Sequence, residues 1–79
     1  MKMKYLILDD GYETPILFPE YKKHDDMSRK LGKAISAGFV SFGPRPEGEV
    51  GATCYGESVS LKIKSRPEDS GLISRLLKE

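Results

Sequence analysis

The chain has 79 residues, a formal net charge of +1 and a hydrophobic fraction of 38%. Its length fits a single domain, residues 1–79, and a domain of that size buries only roughly 60% of the surface its unfolded chain exposes. Acidic and basic residues are intermixed along it, which disfavours nucleic-acid binding by bulk charge, and its apolar content argues against disorder.

The amino-terminal stretch predicts a β-hairpin. Lys4 to Leu8 is strand-like, Asp10-Gly11 is a favoured type I′ turn pair, and Thr14 to Phe18 returns. With Asp10 and Gly11 as the loop, Asp9 pairs with Tyr12 and Tyr5 with Ile16. One face then carries Met3, Tyr5, Ile7, Ile16 and Phe18. The other carries Leu6, Leu8, Pro15 and Leu17, so both faces need cover. In so short a chain that cover can come from a second copy, a homodimer, or from another protein. Leu6, Leu8 and Leu17 are the candidate interface. Pro15 lacks a ladder donor and places the return strand at an edge or bulge.

His24-Asp25-Asp26 opens a short helix, with Met27 and Leu31 at helical spacing, reaching towards Ala34 and Ile35. Its acidic start and the later Arg29, Lys30 and Lys33 suit the helix dipole. Asp25–Arg29 and Asp26–Lys30 are favourable i,i+4 pairs, and Gly32 is a C-terminal stop. Ala37 to Phe42 predicts a third strand, Gly43 to Gly48 a proline- and glycine-dense loop, and Val50 to Tyr55 a fourth strand. Val50, Ala52 and Cys54 share one side of that strand. Gly56 marks a bend or bulge.

From Glu57 to Lys64, Val59, Leu61 and Ile63 alternate with Ser58, Ser60, Lys62 and Lys64, the period of a strand. The pattern leaves open whether this is a new strand or a continuation of the one before. Ser65 and Glu68 have capping-box spacing, Pro67 suits a first helical turn, and Leu72, Ile73, Leu76 and Leu77 form a helical stripe. The order ββαββ(β)α predicts a small two-layer α+β domain, a mainly antiparallel sheet with two helices packed on one face.

Few residues suggest chemistry. His24 is the single histidine, so a metal site would need ligands the sequence does not supply, and His24-Asp25-Asp26 reads as a helix start. Cys54, the single cysteine, excludes an intrachain disulfide, favours a reducing, cytoplasmic setting, and reads as a buried small hydrophobe. The run from Tyr5 to Leu8 is too short for a signal peptide, and no run is long enough to span a membrane. The glycines form no phosphate-cradling signature. No catalytic residue, metal ligand or cofactor is assigned. Lys62, Lys64 and Arg66, with Arg45 at a loop tip and Arg75 on the terminal helix, could form a basic strand face that meets phosphates or a partner. The alternative is a solvated face with edge-protecting lysines.

The ordered segments ETPILFPE, HDDMSRKLG, SAGFVSF and CYGESVSLKIKSRPEDSGLI resemble small proteins carried by phages and prophages. The resemblance covers most of the chain from Glu13 onward. It implies a compact, cytoplasmic accessory protein and carries over no site residues. The sequence therefore predicts a non-catalytic protein-binding module that self-associates or meets a host or phage protein. A nucleic-acid-binding module using Arg45, Lys62, Lys64 and Arg66 is the alternative, and an enzyme has the least support.

Overall fold

A computed structural model describes residues 2–44 and 50–78. Strands β1 (Lys2–Leu8), β2 (Pro15–Phe18), β3 (Ala34–Pro44) and β4 (Val50–Tyr55) form an antiparallel sheet in the order β2-β1-β3-β4. Helix α1 (His24–Leu31) links β2 to β3. A separate two-stranded ribbon, β5 (Glu57–Ser58) with β6 (Ile63–Lys64), precedes helix α2 (Asp69–Lys78). This is a small α+β domain, as the element order predicts.

The helices differ from the expectation in lying one against each face. Ile73 of α2 packs with Tyr5, Ile7, Val40 and Ala52 on one side of the sheet. On the other, Leu6, Phe18, Ala34 and Ala37 pack with Met27 of α1 and with Leu61 and Ile63 of the ribbon. The doubly apolar hairpin does need cover on both sides, and both covers come from the same chain.

The hairpin register is one residue away from the two-residue-turn expectation. Tyr5 pairs with Leu17, Leu6 with Ile16 and Ile7 with Pro15. The cause lies in the connector. The Asp10 carboxylate accepts from the Thr14 hydroxyl and from the Tyr12 amide, bonds that hold its carboxyl below the usual carboxylate value. Gly11 and Glu13 take positive φ angles of 85° and 52°, a wider loop than a type I′ turn. A one-residue slip flips every side chain of the return strand. Leu17 and Pro15 therefore share a face with Tyr5, and Ile16 and Phe18 with Leu6.

The stretch 57–64 is not one strand. Ser58, buried to 1% exposure, accepts from the Leu61 amide at 3.2 Å, and Lys62 adopts φ 57°. These close a tight turn between β5 and β6. Val59 points outward, 80% exposed, because it sits in that turn. An alternating pattern cannot distinguish a long strand from two short ones around a turn.

Gly32 does stop α1, its amide bonding the Ser28 carbonyl at 2.8 Å. Arg29 reaches both Asp25 and Asp26, whereas Asp26–Lys30 is not among the ion pairs of the described residues. Ala34 and Ile35 belong to β3, which begins immediately beyond.

At the start of α2 the capping interaction falls one residue later than Ser65–Glu68. The Asp69 carboxylate accepts from the Arg66 amide at 2.9 Å, the carboxylate half of a capping box. The expected leucine stripe is also displaced. Ile73 is fully buried, but Leu76 and Leu77 are 44% and 43% exposed. Two serines take their place against β4. The Ala52 amide donates to Ser74 Oγ at 3.1 Å and the Cys54 amide to Ser70 Oγ at 2.8 Å. Helix α2 thereby seals the edge of β4, whose outward amides would otherwise invite another strand.

Candidate functional site

The residues singled out by the sequence do not converge. Arg45 lies outside the described residues. Lys62 stands in the β5–β6 turn, Lys64 is exposed on β6, and Arg66 is half-buried between carboxylates. The alternation that would align Lys62, Lys64 and Arg66 is broken by the turn at Lys62, so no basic stripe forms. Leu6 is fully buried and Leu8 only 9% exposed, beneath covers supplied within the chain. Neither offers surface to a second copy. Leu17, moved to the α2 side by the register, is half-buried and packs against the Tyr5 cluster.

His24 is also a packing residue. Its Nε2 bonds the Gly38 carbonyl at 2.9 Å, and since a carbonyl only accepts, that nitrogen carries the proton. Phe18 and Phe39 meet the ring edge-on at 5.4 and 6.0 Å. Burial holds the imidazole below its ordinary pKa despite the bond to Gly38. Cys54 is half-buried, and burial raises its thiol pKa, so the reactive thiolate is disfavoured.

What the fold does bring together is a chain of polar groups ending at a groove. The Tyr5 hydroxyl donates to Asp69 Oδ2 at 2.6 Å within the core. Burial first, then that bond, push the hydroxyl far above its ordinary pKa. Asp69 is fully buried, and its other oxygen takes Arg66 Nε at 3.0 Å. Arg66 Nη2 extends to Glu13 Oε1 at 2.8 Å. The β1–β2 connector, the start of α2 and the middle of β1 are thus tied at one point.

Beyond Glu13 the connector and α2 enclose an open groove of about 230 Å³, lined by Tyr12, Glu13, Pro15, Leu72, Arg75 and Leu76. Its walls combine the apolar side chains of Pro15, Leu72 and Leu76 with the Tyr12 ring and the charged groups of Glu13 and Arg75. Tyr12 is 87% exposed, an aromatic ring with no fold role on the solvent side. The Glu13 carboxylate is committed to Arg66, whereas no ion pair engages Arg75 among the described residues. The groove therefore offers apolar contact and a cation.

Sequence reading passed over Pro15, Leu72 and Leu76 as site residues and took Arg75 only as part of a basic set, because the groove joins segments some sixty positions apart, a separation no local pattern reveals. One signal was present. Ser70 and Ser74 stand four apart on α2, and a polar pair on the sheet-facing side displaces leucines to the surface.

Comparison with protein-family models, with curated proteins and with solved structures gives no match.

Proposed function

We propose that this chain is a protein-binding module whose contact surface is the groove between α2 and the β1–β2 connector. The observation that carries the reading is the concentration of exposed apolar groups there. Tyr12 and Leu76 are 87% and 44% exposed, and they meet Pro15 and Leu72 beside Arg75. Tyrosine and arginine are enriched where proteins meet, and apolar centres with a charged neighbour are typical of such contacts. Self-association through Leu6 and Leu8 is not part of the proposal, since both are covered within the chain.

Site-specific photocrosslinking tests it. A crosslinker at Tyr12 or Leu76 is expected to trap a partner protein in cells, and one at Val59, exposed in the β5–β6 turn outside the groove lining, is not. Leu76→Asp should abolish trapping from position 12 while the melting midpoint stays close to that of the parent chain. Equal trapping from all three positions would remove the groove as the contact surface.

A further inference from the structure

The two edges of the sheet are treated differently. At β4 the amides of Ala52 and Cys54 are taken by Ser74 and Ser70. At β2, the other end of the strand order, no strand or helix is paired to the outer side among the described residues. The strand itself, Pro15-Ile16-Leu17-Phe18, is short and carries Pro15, which removes one donor, but it has no lysine and its other outward main-chain groups stay open.

Which groups face outward follows from the ladder. The Leu8 amide bonds the Thr14 carbonyl at 2.9 Å. Hydrogen-bonded and non-bonded pairs alternate in an antiparallel ladder. Leu6↔Ile16 and Lys4↔Phe18 are therefore bonded pairs, while Tyr5↔Leu17 and Ile7↔Pro15 are not. The outer side of β2 consequently presents the Leu17 amide, the Leu17 carbonyl and the Pro15 carbonyl.

Side chains in one row of a sheet project to the same face. A residue added beside Pro15 would place its side chain on the α2 side, where Pro15, Leu72 and Leu76 form the groove wall. The open edge and the groove therefore adjoin at Pro15. We infer that the open edge of β2 and the adjoining groove accept an extended, apolar and acidic segment of a partner protein as an added strand. This rests on the protein-binding reading above and specifies its partner. The apolar part follows from the groove wall, and the acidic part from Arg75, whose charge no described residue neutralises.

A second copy of this chain fits less well. Antiparallel pairing of two β2 edges on Leu17 sets Pro15 against Pro19, and pairing on Ile16 sets Leu17 against Pro15, a proline with no amide to donate. In either register one outward carbonyl of each copy stays unpaired. A partner segment with an ordinary residue at that position supplies the missing donor and makes three main-chain bonds.

The test uses the full chain and a phage-displayed library of random heptapeptides. Enriched peptides are expected to be apolar and strand-forming with at least one Asp or Glu. Saturating the protein with one of them should slow exchange of the Leu17 amide at least about tenfold. Arg75→Glu, at an exposed position, should weaken the acidic peptides at least about tenfold and shift selection towards Lys and Arg. Peptides that bind without slowing the Leu17 amide would overturn strand addition and leave the groove reading standing. A charge preference unaltered by Arg75→Glu would overturn the acidic assignment. Leu17 protection that grows with protein concentration alone would make a second copy the occupant and overturn the proposal. Absence of enrichment, with trapping still seen from Tyr12 and Leu76, would also refute it. Absence of both would remove the protein-binding reading as well.

Discussion

Asp69 is the residue whose partners are most interdependent. It is fully buried, accepts from the Tyr5 hydroxyl and from both the amide and Nε of Arg66, and has no apolar substitute that satisfies those donors. Tyr5→Phe removes one donor and leaves the carboxylate with Arg66. Chemical denaturation should show a loss of about 1.5–3 kcal/mol, the usual worth of a bond to a charged acceptor. Asp69→Ala orphans the Tyr5 hydroxyl and Arg66 together and should cost more, about 3–5 kcal/mol. Equal losses would mean that the Tyr5 bond accounts for the whole contribution of Asp69 and that its bonds to Arg66 add nothing. His24 gives a pH test. Its folded pKa lies below the ordinary value of 6.5, so the unfolded chain binds the proton first. The stability contributed by neutral His24 is present above the unfolded pKa and declines as pH falls from it through the folded one. Unfolding free energy should fall as the pH drops below the unfolded value of 6.5, with a slope of at most about 1.4 kcal/mol per pH unit. In His24→Gln that slope should vanish.

At the scale of elements, β3 and β4 meet closely over Gly38. A Cβ built there would lie 2.6 Å from the Tyr55 carbonyl oxygen, a backbone atom that cannot swing aside. Gly38→Ala should destabilise by about 1–3 kcal/mol or more, as overpacking does, and a melting curve unchanged from the parent would refute the close approach. Some elements were legible because their ends are marked locally. Gly32 stops α1, Gly56 with φ 76° ends β4, and β4 runs over Val50–Tyr55 as the pattern predicts. The failures share a different cause. The slip in β2 comes from an Asp10 side chain that reorganises its own loop. The strand expected over 57–64 becomes a turn through the buried Ser58 hydroxyl. The stripe of α2 is displaced because Ser70 and Ser74 find amides 16 and 22 residues away. Each is a side-chain to main-chain bond, a kind of contact that hydrophobic periodicity does not register.

For the whole molecule, the sequence conveyed that the hairpin needs two covers, and the structure supplies both from within. α2 shelters Tyr5 and Ile7, and α1 with the ribbon shelters Leu6. Because Leu6 is a core residue of the single chain, Leu6→Ala should cost about 2–5 kcal/mol. Its melting midpoint and that of the parent should not change with protein concentration, as they would if burial depended on a second subunit. The groove was the least legible feature, since Tyr12 and Pro15 come from one end of the chain and Leu72 to Leu76 from the other.

The hydrogen bond between Tyr5 and Asp69 spans 64 positions, and it bears on how the protein is made. While a ribosome is still extruding the middle of the chain, β1 has its tyrosine but not the carboxylate that completes it. An apolar hairpin must therefore wait, half-covered, until translation has passed Asp69 and α2 has emerged. A nascent chain stalled before that residue should be captured by holdase chaperones, and release just beyond α2 should end the capture.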